Sequence, residues 1–586
     1  MRQWMVAAKK ADFYVIAEKF HVDPVVARII RNREVIGEKN IRIYLGGNLS
    51  DLSDPHQMKD MDRLVEILAQ KIRKQVHIRI IGDYDVDGVT SSHLFLTALR
   101  RVGAKVDVVI PHRIQDGYGL SLHLLQQAKE DGVDTILTCD NGIAAIDEIA
   151  WAKVQKMTVL VTDHHAVPFE EHEGRRTEKK SLADAVVNPH QQDCGYPYKE
   201  LCGAGVAWNV IRVLYENYDM DKREAEDLLD FVAMATVCDV MSLTGENRIL
   251  VKEGLKRIRH TKNIGLQALM QACNVQPENI SAYHFGYVLG PCVNATGRLD
   301  TARHALRLFE TGQETEAEEI ARDLVDLNQE RKELTLQGVE MAKKLCEEGG
   351  YENDPVLVLF LPDVHESIAG LIAGRIREMY NRPVFVLTRG EEGVKGSGRS
   401  TENYSMYENM CGCAELFTKF GGHPMAAGLS LPEENVEKFR RKINENCPLT
   451  VEEVCPDIHI DMAMPVGYAS TELVHQFALL EPFGKDNPSP LFADRNLSIS
   501  RMWLIGKNRN VLRMSVLSEY GQPVPVIFFG DVETLFAYFT EKFGQEEVEN
   551  ALHGRKNRIL FSMVYTAKID FYQGNENLQL EMKYYR

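Results

Sequence analysis

The sequence lacks any run of about 20 apolar residues, the length that a membrane-spanning helix requires. Its first stretch, MRQWMVAAKKADFYVI, has no apolar block of the signal-peptide kind. The 11 cysteines are dispersed, and the close pair Cys411 and Cys413 has no second pair at zinc-finger spacing. These absences argue against a membrane protein and a structural zinc site, and the cysteine usage favours a reducing, cytoplasmic compartment.

An excess of positive charge is also missing. The chain of 586 residues has 68 Lys and Arg against 85 Asp and Glu, a net charge of −17. A protein that simply coats nucleic acid would be basic, because its affinity depends on neutralising phosphates. An enzyme with a local basic groove stays compatible with this charge, and a metal site built from carboxylates would contribute to it. The length predicts two to four domains.

One region alternates apolar runs with amphipathic segments. HIRII, KVDVVIPH, DTILTCDNG and TVLVTDHH are predicted strands, DAVVNPH is a further short strand, and helical spacing lies between them. Strands that alternate with helices of this length predict a parallel sheet with right-handed crossovers.

The remainder of the chain changes pattern twice. A helical stretch ends in a predicted long helix, a second α/β region begins at PVLVLFLP, and runs such as VPVIFFG near the end predict a small barrel or sandwich. We therefore expect an N-terminal helical segment packing on the first α/β domain, that domain itself, a connecting helix, a second α/β domain and a C-terminal β domain. The corresponding ranges are 1–75, 76–305, 306–349, 350–450 and 455–586.

Three aspartates, Asp83, Asp85 and Asp87, follow the first predicted strand at a spacing of two. In an extended chain such residues point to the same side, and ligands bind at the carboxyl ends of parallel strands. Because neighbouring carboxylates repel one another when ionised, solvent, hydrogen bonds or a metal must stabilise them, and a cation does so directly.

Two further predicted strands of the sheet end in residues of the types that bind metal ions. DTILTCDNG ends in Asp140, and TVLVTDHH ends in Asp163, His164 and His165. Alone, Asp140 could be a helix N-cap and the histidines a hydrogen-bonded loop pair. Together they predict a divalent-metal site at one sheet edge, where carboxylates and imidazoles suit Mn²⁺, with Mg²⁺ possible. Two such ions can activate water for attack on a phosphodiester.

Successive motifs of the chain resemble those of the DHH phosphoesterase superfamily: GDYDVDGVTS, TCDNG, TDHHAV, ATVCDVMSL and PCVNATGRLD. VHESIAGLIAGRIREMYNRP, KGSGRS and FGGHPMAAG resemble the companion DHHA1 domain, and LEPFGKDNPSPLF with the β-rich tail resembles the oligonucleotide-binding (OB) domain of the RecJ branch. The resemblance begins near residue 40 and implies a parallel-sheet DHH domain, a long helix, an α/β DHHA1 domain and an OB-like barrel.

The resemblance also implies which residues bind two Mn²⁺ or Mg²⁺ ions. The implied ligands are Asp85, Asp87, Asp140, His164 and Asp239, with Asp140 as the bridge. Asp83 and His165 are either further ligands or supports, and Asp163 orients a histidine. Without the resemblance, Asp239 is simply the cap of a buried helix.

Substrate-binding residues are implied in the same way. Asn294 and Arg298 would contact the scissile phosphate, with Arg298 counted beside Asp140, His164 and His165 as catalytic, and Arg113, Ser397 and Arg399 would hold a 5′-terminal phosphate. His423 would face the substrate. Single-stranded DNA would contact the OB-like domain, where the candidates are Arg501, Trp503, Lys507 and Arg509. Phe483 and Phe492 are expected in its core.

Each of these motifs has a plainer interpretation. NATGR could be a polar turn, KGSGRS a surface loop, His423 a structural histidine, and the basic stretch of the C-terminal domain a solvated hairpin. Ser367 stands where a glycine is expected, which would narrow a backbone approach to DNA. The chain is also expected to lack the extra C-terminal domain of some longer relatives.

The implied activity is that of a single-stranded-DNA-specific 5′→3′ exonuclease of DNA repair and recombination that releases 5′-mononucleotides. Helicases and single-strand-binding proteins are the implied partners. The alternatives are a DHH phosphohydrolase acting on short oligonucleotides, cyclic dinucleotides or pyrophosphate, a replication scaffold with an eroded metal site, and a plain nucleic-acid-binding module. The complete set of motif carboxylates speaks against the scaffold, and the acidic charge speaks against the binding module.

Overall fold

Two units make up the described part of the chain. The structure is a computed structural model that describes residues 3–113, 116–117, 119–172, 175–390, 393–506, 509–572 and 574–586. One unit contains residues 52–241 and 249–456, and the other contains residues 3–51, 242–248 and 457–586. Lys507, one of the predicted DNA-contacting residues, lies outside the described residues.

Strands and helices are numbered in chain order over the described residues. The strands are β1 Trp4–Val6, β2 His77–Ile81, β3 Lys105–Val109, β4 Thr135–Cys139, β5 Thr158–Thr162, β6 Phe169–His172, β7 Arg175–Glu178, β8 Ala185–Val187, β9 Leu357–Phe360, β10 Val384–Gly390, β11 Gly393–Arg399, β12 Lys419–Gly422, β13 Ala426–Leu431, β14 Ile458–Ile460, β15 Met462–Ala463, β16 Phe492–Ile505, β17 Val511–Leu517, β18 Pro523–Phe528, β19 Leu560–Tyr572 and β20 Asn575–Tyr585.

The helices are α1 Phe13–Phe20, α2 Pro24–Asn32, α3 Glu38–Gly46, α4 Met61–Arg73, α5 Val86–Arg101, α6 Leu122–Glu130, α7 Ile146–Val154, α8 Gly203–Asn217, α9 Arg223–Glu226, α10 Leu229–Cys238, α11 Gly245–Ile258, α12 Ile264–Ala272, α13 Ala282–His284, α14 Gly290–Leu299, α15 Ala302–Glu310, α16 Glu314–Glu348, α17 Ala369–Tyr380, α18 Met406–Cys411, α19 Val436–Glu445, α20 Thr471–Gln476, α21 Val532–Phe543 and α22 Gln545–Leu552.

The first sheet is parallel throughout, with the strand order β3-β2-β4-β5-β8. All five residues of β4 are buried, as expected for a central strand covered on both faces. Helix α5 packs against α8, α10 and α15 and is buried along most of its length. The predicted parallel sheet is confirmed, and its strand ends define the edge where the acidic residues lie.

The predicted long helix is also confirmed. Helix α16 has 35 residues, and helices α12 and α14 both pack along it. Beyond α16 the chain enters a second sheet. Among the described residues, no helix combines the length and the apolar character needed to cross a membrane.

The second sheet is mixed and has the order β12-β13-β11-β10-β9. Alternate residues of β10 enter different cores: Val384 and Val386 face the α16–α17 side, while Phe385 and Leu387 join the cluster that contains Phe439 of α19. The motif KGSGRS lies on β11, which pairs with β10 and β13. The surface-loop interpretation of this motif is therefore wrong.

In the other unit, strands β16, β17, β18, β20 and β19 form a closed ring, because β16 pairs with both β17 and β19. This closure confirms the predicted barrel. Phe492 is fully buried in the barrel core and Phe483 packs against it, as expected.

The N-terminal segment packs differently from the expectation. Residues 3–51 belong to the unit that contains the barrel, and β1 pairs in parallel with β14. Apolar residues of α2 join the barrel core, and the guanidinium of Arg33 donates to both carboxylate oxygens of Asp461, at 2.7 and 3.1 Å. The apolar face of α2 thus finds its partner hundreds of residues away in sequence.

Candidate active site and metal centre

The three aspartates after β2 lie at a turn and a helix start. Asp85 has an extended backbone, with φ of −91° and ψ of −177°, but Asp87 is helical, so the three do not form one extended edge. Strand β2 ends at Ile81, and the chain turns at once into the crossover helix α5. Asp85 is the N-cap of α5, and its Oδ1 accepts the backbone N–H of Gly88 at 3.0 Å. Asp87 lies in the first turn. Carboxylates at a helix N-terminus are stabilised by its unpaired N–H groups and dipole.

Asp87 also accepts hydrogen bonds from the N-terminus of a second helix, α8. Its two carboxylate oxygens accept the N–H groups of Gly203 at 2.6 Å and Ala204 at 2.7 Å, at the start of α8. A Cβ atom on Gly203 would lie 2.6 Å from Cβ of Asp140, so only glycine fits there. Sequence reasoning missed this support; the available signal was the small-residue string CGAG at the start of α8.

His164 brings the acidic residues to one point. Its Nε2 lies 3.1 Å from Oδ1 of Asp140, 3.6 Å from Oδ2 of Asp239 and 3.7 Å from Oδ2 of Asp87. Asp140 adopts a left-handed conformation with φ of 61°, and α7 begins only at Ile146. The N-cap interpretation of Asp140 is therefore wrong.

Asp239 is at the C-cap position of α10, as its plainer interpretation required, and it also faces His164. The next residue, Val240, has a φ of 54°. Such an angle is costly for a β-branched side chain, and strain of this kind concentrates at functional sites. The strained conformation of Val240 therefore marks the end of α10, where Asp239 faces His164.

Three groups of ligand atoms overlap, and within each group the atoms lie within 4.8 Å of one another. The groups are Asp83, Asp85 and Asp140; Asp87, His164 and Asp239; and Asp140, His164 and His165. We call Asp83, Asp85, Asp87, Asp140, His164 and Asp239 the carboxylate cluster. Carboxylate oxygens with one imidazole form a donor set that fits Mn²⁺ or Mg²⁺.

Burial of the carboxylate cluster favours neutral carboxyl groups unless a cation is bound. Burial, followed by the charges of neighbouring aspartates, raises the pKa of Asp140 well above its ordinary value. Burial and the charge of Asp85 do the same to the pKa of Asp83, and burial and Asp87 raise the pKa of Asp85. Divalent cations reverse such shifts because they are the largest local charges in a site.

Asp163 holds His165 in place. Burial disfavours charge on His165, but the hydrogen bond from its Nδ1 to Oδ1 of Asp163, 2.8 Å long, and nearby carboxylates raise its pKa to about 9. Asp163 also accepts the backbone N–H groups of Ile143, His164 and His165. The histidine that this carboxylate orients is thus His165.

Helix α14 rests on the aspartate turn. Oδ1 of Asn294 accepts the N–H of Val86 at 3.1 Å, and a Cβ on Gly297 would lie 2.4 Å from the carbonyl oxygen of Tyr84. Arg298 is in the same helix, so the polar-turn interpretation of NATGR is wrong. Its Nη1 donates to the carbonyl oxygen of Ser367 at 2.7 Å. Burial and the neighbouring arginines lower the pKa of Arg298 to about 10.

A cavity of about 260 Å³ brings Arg113 and Ser397 together, with Tyr84, Ser367 and Lys395 also in its lining. The guanidinium of Arg113 lies 4.9 Å from the ring centre of Tyr84. Arg399 donates from Nη1 to the carbonyl oxygen of Gly398 at 2.7 Å, and burial, Arg377 and Arg113 lower its pKa. We call Arg113, Arg298 and Arg399 the arginine group.

Comparison with known proteins places this site in a family. Family models match for the DHH family N-terminal domain over residues 77–236, the DHHA1 domain over 353–447 and the RecJ OB domain over 460–584. The single-stranded-DNA-specific exonuclease RecJ of Haemophilus influenzae is 32% identical over 582 residues, which cover 96% of each chain. The chain belongs to the RecJ family.

Further members of the RecJ family agree with this assignment. RecJ of Bacillus subtilis is 33% identical over 511 residues, covering 86% of this chain and 63% of its own length. The crystal structure of Thermus thermophilus RecJ with Mn²⁺ has a TM-score of 0.79 at 24% identity, covering 100% of this chain and 79% of that one. A manganese-bound RecJ exonuclease is 32% identical, with a TM-score of 0.56, and covers 66% of this chain and 94% of that one. The predicted RecJ-type fold is confirmed.

His423 and Ser367, both singled out in the sequence, differ in their relation to the cavity. His423 is exposed between β12 and β13, its described contact is a backbone bond to Ala426, and it does not line the described cavity. Ser367 is buried, and its hydroxyl lies 2.7 Å from Nδ1 of His365 while its carbonyl oxygen accepts Arg298. The serine thus lines the cavity and holds the guanidinium of Arg298 through its carbonyl oxygen.

The basic hairpin of the RecJ OB domain lies in the unit that contains the barrel. Arg501 and Trp503 lie on β16, with the guanidinium of Arg501 5.7 Å from the ring centre of Trp503. Arg513 on β17 stands opposite Trp503, and Arg509 lies in the connecting turn with φ of 52°. The stretch is therefore a hairpin that pairs cations with a partly exposed aromatic ring.

Proposed function

We propose that this RecJ-family chain hydrolyses single-stranded DNA from the 5′ end and releases 5′-mononucleotides, with Mn²⁺ or Mg²⁺ as cofactor. The observation that carries the proposal is the convergence of Asp87, Asp140 and Asp239 on Nε2 of His164. Related chains named as single-stranded-DNA-specific exonucleases support the choice of substrate. Repair and recombination are the processes in which such an activity is used.

The residues of the carboxylate cluster would hold two cations, with Asp140 shared between them because it belongs to two of the three ligand groups. Bound divalent cations supply an activated water and neutralise charge on the scissile phosphate. His165, held by Asp163, lies beside the shared carboxylate, where its pKa of about 9 makes it a proton donor at neutral pH.

Arg298 and Asn294 would position the scissile phosphate. A guanidinium presents a planar fork of donors that matches phosphate oxygens. Among the ion pairs of the described residues, none involves Arg298. Its partly buried charge is therefore free to pair with the substrate, while α14 keeps it beside the aspartate turn.

The cavity lined by Arg113 and Ser397, with Arg399 beside it, would hold the 5′-terminal phosphate. A fixed distance between this anchor and the carboxylate cluster selects one phosphodiester along the strand. Anchoring at a terminal phosphate thus accounts for both 5′→3′ polarity and mononucleotide release.

The proposal extends to organisation and context. We take residues 76–305 as the DHH domain, 306–349 as the connecting helix, 350–450 as the DHHA1 domain and 455–586 as the OB domain, with Arg501, Trp503 and Arg509 contacting DNA. The family matches at 77–236, 353–447 and 460–584 support these bounds. Helicase and single-strand-binding partners and a cytoplasmic location are inferred from the family and the dispersed cysteines.

One experiment tests the proposal directly. Purified full-length protein is incubated with 3′-labelled single-stranded DNA, the corresponding duplex, and a cyclic dinucleotide, each with Mn²⁺, with Mg²⁺ and with chelator. We expect 5′-mononucleotides from the single strand only, and only with metal. Hydrolysis of the cyclic dinucleotide with an intact single strand would instead support the short-substrate phosphohydrolase.

A further inference from the structure

Two cysteine sulfurs meet beside the helix that carries Asn294 and Arg298. Cys273 is the C-cap residue of α12, and Cys292 lies in the first turn of α14. Their Sγ atoms are 3.8 Å apart. Since a disulfide bond is about 2.05 Å long, the sulfurs need to close a gap of only about 2 Å.

The two thiols differ in a way that suits stepwise oxidation. Cys273 is partly exposed, and the hydrogen bond from Cys292 and then the charge of Lys332 lower its pKa. Cys292 is buried, and its hydrogen bond to Cys273 and its burial raise its pKa. Accessible thiols near cations are the reactive ones, so Cys273 is the nucleophile and Cys292 the resolving thiol.

We propose that Cys273 and Cys292 form a reversible disulfide on exposure to peroxide, and that this bond lowers nuclease activity by displacing α14. The Cys273 thiolate attacks one peroxide oxygen, the O–O bond breaks, and the departing hydroxide takes up a proton to become water. Sulfur of Cys292 then attacks the sulfenic acid sulfur, and the second oxygen leaves as water. Two electrons pass from the sulfur pair to one hydrogen peroxide molecule, which is reduced to two waters.

Contacts of Cys292 explain the effect on activity. Its Sγ lies 3.3 Å from both the Val288 carbonyl oxygen and the Asn328 amide nitrogen. Drawing this sulfur toward Cys273 breaks both contacts and pulls the first turn of α14. Asn294, two residues further on, then loses its bond to the N–H of Val86 beside the carboxylate cluster. This second part rests on the proposed function, whereas the disulfide does not.

The test uses the full-length protein, treated with hydrogen peroxide and then alkylated. We expect wild type to yield a peptide cross-link between Cys273 and Cys292, and so to lose these two of its 11 thiols in addition to the exposed Cys411. Cys411→Ser removes an exposed cysteine on α18 and should keep the cross-link. Cys273→Ser and Cys292→Ala should abolish it.

Activity is measured on the same samples. Nuclease activity of wild type and Cys411→Ser should fall on oxidation and return with dithiothreitol, while Cys273→Ser should stay active throughout. Cys273 is partly exposed, so its serine variant keeps the test valid even if Cys292→Ala fails to fold.

The outcomes separate the two proposals. Absence of the cross-link after Cys411 has been oxidised overturns the disulfide, and a cross-link with unchanged activity overturns its effect on α14. A reduced wild type without nuclease activity refutes the proposed function, and the peptide map then still decides the disulfide.

Discussion

The carboxylate cluster and the arginine group present the same problem with opposite signs. In the cluster, burial raises the pKa of Asp83, Asp85 and Asp140. In the arginine group, burial lowers the pKa of Arg298 to about 10 and also lowers that of Arg399. Each region holds like charges partly out of water, so an external counter-ion would stabilise each of them.

Geometry separates the two solutions. Ligand atoms of the cluster lie within 4.8 Å of one another, a spacing suited to ions that stay bound. The arginines instead come from different elements, and Arg298 and Arg399 each donate to a backbone carbonyl oxygen. Such contacts hold each guanidinium in place through one nitrogen, and the other nitrogens can face a ligand. The cluster therefore suits a resident metal, and the arginine group is consistent with the proposal that it binds substrate phosphates.

Asp140→Asn should have the largest effect, because Asp140 belongs to two ligand groups. We expect kcat on single-stranded DNA to fall by at least about 10³-fold, more than the loss of a single oxyanion donor. In metal-free buffer near pH 7.5 the variant should be more stable than wild type, because a carboxylate whose pKa is raised in the folded chain opposes folding at every pH above its unfolded pKa.

Calorimetry with and without Mn²⁺ sharpens this test. Wild type should gain about 2.7 kcal/mol at a metal concentration 100-fold above Kd, and Asp140→Asn should gain less. Asp147→Asn, which changes an exposed acid at the start of α7, should behave as wild type. Equal stabilisation of Asp140→Asn and wild type by Mn²⁺ would show that the cluster is not the metal site.

Arg298→Met should have the second largest effect on kcat. Removing the guanidinium while keeping an apolar stem is expected to lower kcat by about 10²–10³-fold, the range for a lost transition-state donor. Metal binding should be unchanged, because Arg298 stands outside the carboxylate cluster. Single-turnover rates and Mn²⁺ titrations measure both effects, with the exposed Arg303→Met on α15 as the matched control. Loss of Mn²⁺ binding in Arg298→Met would break the separation between the two regions.

Asp163→Asn should reduce activity by about 10–100-fold, the range for residues that hydrogen-bond to the side chains lining a metal site. The amide cannot hold a charged His165, so the pKa of that imidazole should fall from about 9. The pH profile of kcat should therefore lose activity at lower pH than the wild-type profile does. A profile identical to that of wild type would show that the carboxylate does not act through His165.

Arg399→Gln should change substrate choice more than rate. Losing a charged hydrogen bond to the terminal phosphate costs about 1.5–3 kcal/mol, or about 10–100-fold in discrimination. The preference for 5′-phosphorylated over 5′-hydroxyl strands should shrink accordingly, while exposed Arg375→Gln keeps it. An unchanged preference would remove Arg399 from the terminal-phosphate pocket.

Sequence patterns predicted the parts of the site that follow from the parallel sheet. Asp140, Asp163 and His164 each follow a strand, and parallel strands bring their carboxyl ends to one edge. Asp239 could not be found in this way, because it ends a helix in a region where strands and helices do not alternate. Its place came from the family motif alone.

Long-range packing accounts for the rest of what the sequence could not predict. The pairing of Trp4 with Ile458 joins residues separated by most of the chain and leaves no local signal. The KGSGRS motif is poor in strand-forming residues, yet it forms a strand because β10 and β13 bond to it on both sides. Tertiary contacts thus overrode local propensity in both places.

Substitution of His93 should have the smallest effect on activity. This residue is a control for the comparison of the carboxylate cluster with the arginine group, since it is a buried base that stays neutral without a counter-ion. It lies between Phe231 and Phe309, with ring centres 4.4 and 5.8 Å away, and burial lowers its pKa to about 3. An unfolded histidine has a pKa of about 6.5, so below that pH the unfolded chain binds a proton that the folded chain does not. Stability from this residue is therefore complete above pH 6.5 and is lost as pH falls toward 3.

His93→Leu should remove that dependence. Wild type should lose up to about 1.4 kcal/mol per pH unit from this residue between pH 6.5 and 5, and the variant should lose correspondingly less. Urea unfolding at several pH values measures the two slopes, with exposed His123→Gln as the control that retains the wild-type slope. Nuclease activity near pH 7.5 should be unchanged, because a neutral buried base needs neither metal nor phosphate. Parallel slopes in wild type and His93→Leu would mean that His93 is protonated in the folded chain and has a counter-ion after all.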